Sequence, residues 1–194
     1  MQRILLKLSG EALADDDAQF SHTKLTTLAQ TIHQAVQRGN QVAVVCGAGN
    51  LFRARQANLG VMGRVTADHV GMLATVMNAA VLRDYLRAEG QKAHVFTPRD
   101  QKPLAEMFVR DRALALLKAG EVLLLAGGTG NPYFTTDSAA ALRALEISAD
   151  VLLKATQVDG VYDRDPHQYA DAVKFDHLTY DEALARKLRV MEIG

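Results

Sequence analysis

The chain predicts an α/β fold with a mainly parallel sheet and helices on both faces. Three observations predict it. Apolar runs of strand length alternate with segments whose apolar residues recur at helical spacing. The strand-like runs are rich in branched aliphatic residues. Most are followed by glycine, small polar residues or a cation, the turn chemistry that leads from a strand into the next element.

In order, Arg3 to Leu8 (RILLKL) is a short apolar strand ending in a Ser-Gly turn. His22 to Arg38 carries Leu25, Leu28, Ile32, Ala35 and Val36 at helical spacing, with Ser21 to cap its start and Gly39 its end. Gln41 to Cys46 (QVAVVC) reads as a buried strand, and Thr66 to Ala88 as a long helix. Lys92 to Phe96 is a weaker strand, and Val109 to Lys118 is helical. Glu121 to Ala126 (EVLLLA) is a strongly apolar strand, followed by an alanine-rich helix over Asp137 to Ile147. Asp150 to Lys154 (DVLLK) is a further strand, and Thr179 to Lys187 a last helix. Asp15 to Asp17 form an acidic cluster that reads as a solvated loop.

The 194 residues suit one domain, and 48% hydrophobic with 23% charged residues is ordinary for a chain with a full core. Lys and Arg total 22 and so do Asp and Glu, so no basic surplus points to a long polyanion. A small phosphorylated ligand needs only a few cations. Cys46 stands alone, which excludes an intrachain disulfide and a multi-cysteine metal site and fits a reducing cytosol. No zinc spacing occurs, so no protein-held metal is expected. The start MQRILLKLSG lacks the apolar reach of a signal peptide, and no apolar run approaches the ~20 residues of a membrane span.

Four stretches carry candidate chemistry, and ligands of α/β sheets bind at strand carboxyl ends. In KLSGE, Lys7 leaves an apolar strand where burying an unpaired ammonium is costly, so it is placed to meet a phosphate, with the amides of Ser9 and Gly10 beside it. An edge lysine facing water explains the same residues equally well. CGAGNLFRA combines a strand, a glycine turn and a helix start, an anion-binding arrangement that Arg53 would reinforce, although a purely structural turn is the commoner meaning. GGTGNPYFTTD is the most informative: Gly127 to Asp137 form a longer and more specialised loop than a passive connection needs. LKATQVDGVYDRDP again ends a strand in a lysine, Lys154, and follows it with turn formers. Tyr162 there serves either to stack on a base or to pack. Asp68, in the first turn of the long helix, is a dipole partner or a ligand of ribose hydroxyls. His69 reads as a surface or packing residue.

These segments together resemble the bacterial uridylate (UMP) kinases of the amino acid kinase family. The matching text is RILLKLSGEAL, GNLFR, DHVGMLATVMN, GTGNPYFTTDSAAALRALEI, ADVLLKATQVDGVYDRDP and LTY…LRVME, from about Arg3 to Glu192. The resemblance implies a three-layer α/β/α sandwich and a single kinase domain over 1–194. It also implies transfer of the ATP γ-phosphoryl group to UMP, giving UDP in pyrimidine nucleotide biosynthesis. It places Lys7, Ser9 and Gly10 on the ATP phosphates with Leu8 in the same loop, and Gly49 and Arg53 on the transferring phosphate. Thr156, Tyr162 and Asp165 would border the ATP nucleoside. UMP would meet Gly47, Ala48 and Asp68, wrapped by Thr129, Gly130, Asn131, Pro132, Tyr133, Phe134, Thr135 and Thr136. Lys7, Arg53 and Asp137 would be catalytic, Asp137 by orienting Lys7, with Lys154 assisting near the phosphates. Mg²⁺ would be held mainly by ATP phosphates. A cytoplasmic homohexamer is implied, and Met72, Met77 and Val81 of the long helix serve its interface or plain core packing.

Four departures from the family pattern stand out. Ala48 replaces the middle of three glycines, and Ala54 replaces a glycine after Arg53. The chain ends at Gly194, where the family continues through a helix and closing strands. That leaves a fragment, a chain whose missing part a partner replaces, or a C-terminally shortened and inactive relative, and loss of the strands would expose a sheet edge or apolar face. The acidic Asp15 to Asp17 loop also differs from the family's glycine-containing one. The alternatives to an active UMP kinase are a catalytically impaired ligand-binding or oxoanion-storage relative and a kinase of another small acid. Retention of Lys7, Arg53 and Asp137 argues against the first, and Asp68 with GTGNPYFTTD against the second.

Overall fold

The computed structural model describes residues 1–52, 61–156 and 158–188. It forms two compact units, one through Ala155 and one from Thr156 onward. The first unit contains β1 (Arg3–Leu8), a 3₁₀ turn (Gly10–Leu13), α1 (His22–Gln37), β2 (Gln41–Cys46), α2 (Arg64–Ala88) and β3 (Ala93–Thr97). It continues with β4 (Glu106–Met107), α3 (Arg110–Lys118), β5 (Val122–Leu125), α4 (Thr136–Glu146) and β6 (Val151–Lys154). Its six strands lie in the order β4-β3-β5-β2-β1-β6, and every neighbouring pair is parallel.

Strand alternation divides the core in two. Val42, Val44 and Cys46 of β2 face one side with Val122 and Leu124 of β5, and there they pack with Leu25 and Ile32 of α1 and Val76, Leu82 and Leu86 of α2. Ala43, Val45, Leu123 and Leu125 face the other side, against Ala113 and Leu117 of α3 and Ala140 of α4. Both faces of β2 are buried along its whole length, which is why its sequence shows no polar alternation. This is the expected sandwich: β1 and β2 keep their expected bounds, α2 starts two residues earlier than expected, and the other elements lie within a residue or two of theirs.

The anticipated caps form. Ser21 Oγ accepts from the Lys24 N–H at 3.4 Å, and Gly39 takes φ 86° just beyond α1. The 3₁₀ turn and β4 were not legible in the sequence, because elements of two to four residues carry no periodicity. The expectation that no segment approaches membrane length needs correction: α2, at 25 residues, is long and apolar enough by length and composition to cross a bilayer. Its buried face, including Ala74, Val76, Ala79, Leu82 and Leu86, instead packs as a core helix. Val81 packs against the same core, whereas Met77 is half exposed. β6 is an edge strand with Leu153 exposed, and Leu142 and Leu145 of α4 are exposed as well.

The second unit holds a two-stranded antiparallel pair, β7 (Val161–Tyr162) with β8 (Lys174–Phe175), and the short helix α5 (Tyr180–Ala185). Thr179 and Glu182 make a reciprocal capping box at the start of α5.

Candidate active site

Lys7 lies near the carboxyl end of β1 and stands directly opposite Lys154 in the parallel β1–β6 register. Lys7 shares a strand face with Leu5, which packs towards α3 and α4. On that side α4 begins, and its second residue, Asp137, reaches both lysines. Lys7 Nζ lies 2.6 Å from Asp137 Oδ1, and Lys154 Nζ donates to Asp137 Oδ2 at 2.7 Å. The Asp137 side chain is 1% exposed, Lys7 8% and Lys154 26%. Such burial is tolerated because each carboxylate oxygen meets an ammonium. One carboxylate and two ammonium groups leave a net positive charge, and the N-terminus of α4 adds the positive end of its macrodipole. Thr135 caps that helix, accepting the Ser138 N–H at 3.1 Å. The cluster can attract and neutralise phosphate oxygens.

The turns after β1 and β2 cross closely beside it. A β-carbon on Gly10 would fall 2.4 Å from Asn50 Oδ1 and 2.5 Å from the Gly49 nitrogen, so only glycine permits the approach. Gly47 N–H donates to Leu8 O at 2.8 Å, binding the two turns through their backbones. Ala48 O accepts from Leu51 and Phe52, and Ala48 is not among the residues in the left-handed region. The alanine that replaces a family glycine therefore costs no backbone strain. Arg53 and Ala54 lie outside the described residues.

The glycine-rich loop after β5 is fastened to α2 at two points. Gly127 N–H donates to Thr75 Oγ1 at 2.8 Å, and Tyr133 N–H donates to Asp68 Oδ2 at 2.8 Å. Tyr133 has φ 72°, a left-handed conformation costly for a residue with a β-carbon. Arg64 Nε donates to both Asp68 oxygens, at 2.9 and 3.0 Å, and its guanidinium lies 5.3 Å from the Tyr133 ring centre. Thr129 Oγ1 accepts the Asn131 N–H at 3.1 Å. Gly130, at φ 81°, leaves no room for a β-carbon beside Pro98. A cleft of about 200 Å³ opens between the loop and α2, lined among others by Met72, Thr97, Gln101, Gly127 and Gly130.

Thr156, Tyr162 and Asp165 belong to the second unit. Tyr162 Oη donates to Asp159 Oδ1 at 2.6 Å, and Lys174 Nζ donates to Asp159 Oδ2 at 2.8 Å. Lys174 first and Tyr162 second hold the Asp159 carboxyl down to about 2, and the same carboxylate raises the Tyr162 phenol. Asp165 accepts the His167 N–H at 2.9 Å as a turn cap, and Thr156 Oγ1 donates to Val158 O at 2.6 Å.

Within the first unit, the structure thus brings Lys7 and Asp137 together and sets Gly10 against Gly49. It joins Asp68 to the Tyr133 turn. Sequence reasoning gave Lys154 only a loose role, though its position opposite Lys7 puts it on Asp137. It missed Arg64, Thr75 and Asn78. For Asn78 a signal existed: a lone amide inside the apolar run ATVMNAAVL.

Residues 2–191 match the model of the amino acid kinase family. The uridylate kinase of Xanthomonas campestris pv. campestris is 51% identical over 192 residues, covering 98% of this chain and 80% of the relative. That of Xanthomonas oryzae pv. oryzae is 50% identical with the same coverage. Among solved structures, the UMP kinase from Bacillus anthracis superposes with a TM-score of 0.94 at 35% identity, covering 98% of this chain and 80% of that one. The uridylate kinase from Archaeoglobus fulgidus gives a TM-score of 0.72 at 33% identity, with 95% and 77% coverage.

Proposed function

The chain belongs to the amino acid kinase family, and from that premise we propose that it is a uridylate kinase, transferring the γ-phosphoryl group of ATP to UMP to give UDP and ADP. Relatives at about 50% identity that bear this name support the reading. The observation that carries it is the Lys7–Asp137–Lys154 cluster at adjoining strand ends.

At neutral pH the UMP phosphate is largely dianionic, so its oxygen attacks the γ-phosphorus without a strong general base. The bond between that phosphorus and the β,γ-bridging oxygen breaks, and the electron pair leaves with ADP. What the reaction needs is alignment and charge neutralisation. Lys7 and Lys154 supply positive charge towards the phosphate oxygens, and Asp137 holds both ammonium groups in place. Ser9, Gly10, Gly49 and Arg53 line the ATP phosphates in this reading, and Leu8 belongs to the same turn. Ala48, Asp68 and the loop from Thr129 to Thr136 take UMP. Asp68 binds the ribose hydroxyls, and the cleft beside Met72 and Gly130 seats the base. Thr156, Tyr162 and Asp165 border the ATP nucleoside.

Both Asp137 oxygens are engaged by lysines. That arrangement fits Mg²⁺ carried by the phosphates of ATP rather than by a carboxylate cage. When bound, the ion would supply charge neutralisation at the phosphates of ATP. We read 1–194 as one kinase domain, working in the cytoplasm in pyrimidine nucleotide biosynthesis. Leu73 and Met77, half exposed and one turn apart on α2, support self-association, with a homohexamer as the proposed state.

The test is UMP-dependent ADP release by the purified chain, with Lys7→Ala and Asp137→Asn as controls. Turnover that both substitutions abolish supports the reading. A folded chain that binds ATP and UMP without turnover would favour the ligand-binding alternative.

A further inference from the structure

Asn78 is wholly buried, at 0% exposure, on the face of α2 that otherwise presents Val76, Ala79 and Leu82 to the core. A buried amide is costly unless its hydrogen-bonding capacity is used. Here Asn78 Nδ2 donates to Gly47 O at 2.7 Å and to Asn50 Oδ1 at 2.8 Å. Asn78 Oδ1 accepts from Asn50 Nδ2 at 3.1 Å, and Asn50 Nδ2 also donates to Gln19 O at 2.9 Å. The reciprocal amide pair joins α2 to the turn after β2 and to the segment after β1. Asn50 Oδ1 is also the atom that a β-carbon on Gly10 would strike.

The direction of these bonds matters more than their number. A peptide is planar and trans, so its C=O and N–H point opposite ways. With Gly47 O drawn towards Asn78, the Ala48 N–H points away from α2. Among the described residues that N–H makes no hydrogen bond. Leucine would fill a similar volume, but it would leave Gly47 O unbonded and the peptide free to turn.

We propose that Asn78 is a positioning residue for the acceptor: through Gly47 and Asn50 it aims the Ala48 amide at the phosphate of UMP. This rests on the uridylate kinase reading above. Packing alone would make Asn78 important for stability and irrelevant to KM.

The experiment compares wild type, Asn78→Leu and Asn50→Ala as full chains. It measures KM for UMP, KM for ATP, kcat and Tm. The expected result is a KM for UMP raised about tenfold in both variants, with KM for ATP within about twofold of wild type. Folded variants with a lowered Tm and wild-type KM values would overturn the inference and leave the kinase reading intact. If Asn78→Leu does not fold, Asn50→Ala decides alone, since Asn50 is only partly buried. A folded wild type without UMP-dependent ADP release would overturn the kinase reading, and this inference with it.

Discussion

Lys7 and Lys154 stand opposite each other on neighbouring parallel strands and share one carboxylate, Asp137. Neither strand alone could hold two ammonium groups so close, because their repulsion needs the anion that α4 supplies. Lys7→Met should lower kcat by about 10²–10³-fold, the scale for losing one preorganised charge-stabilising donor. Lys154→Met, on the more exposed lysine, should cost less. Asp137→Asn leaves the lysines without their counter-charge, and its stability should fall by about 3–5 kcal/mol, read by denaturant unfolding. Equal stabilities for Asp137→Asn and wild type would refute the shared-carboxylate account.

Gly10→Ala places a β-carbon 2.5 Å from the backbone nitrogen of Gly49, an atom no rotamer change can move aside. The crossing turns must separate, at a stability cost of about 1–3 kcal/mol. Because Gly10 and Gly49 are both proposed to face ATP phosphates, KM for ATP should rise as well. Thermal unfolding with steady-state kinetics checks both.

Asp68 accepts the N–H of Tyr133, which sits in a left-handed turn. Asp68→Ala removes that acceptor and the proposed ribose contact together. KM for UMP should rise about tenfold or more, while KM for ATP should stay near wild type. A matching rise in both constants would place Asp68 in general folding rather than in acceptor binding.

Burial pushes the Cys46 thiol up to about 12, against a smaller opposing pull from Lys7. Below the unfolded thiol's value of about 8.5 both states stay protonated and the group is neutral to stability. Between about 8.5 and about 12 the unfolded chain loses the proton more readily, so stability should fall as pH rises. Cys46→Ala should show a flatter Tm profile over that range. Iodoacetamide at pH 8 should label Cys46 only after denaturation, as mass spectrometry would show.

Local chemistry determined the longer strands, the α-helices and most of their ends. QVAVVC could hardly be anything but a doubly covered strand, and Ser21, Gly39 and Thr135 act at the helix ends through neighbours a few residues away. Candidate anion-binding turns were legible for the same reason, since glycine and small polar residues reveal where a backbone must approach something closely. The resemblance in GTGNPYFTTD and LKATQVDGVY then proposed their roles.

Only the tertiary structure decided which of those groups meet. KLSGE alone left Lys7 as either a phosphate ligand or an edge residue, and its contact with Asp137 comes from a helix that the chain reaches much later. The Asn50–Asn78 pair and the Asp68–Tyr133 contact are likewise between distant segments. Periodicity and turn chemistry act over a few residues, so the sequence alone determined the longer elements. Strand register, helix packing and the pairing of buried charges act across the fold, so only the tertiary structure decided how those elements make a site.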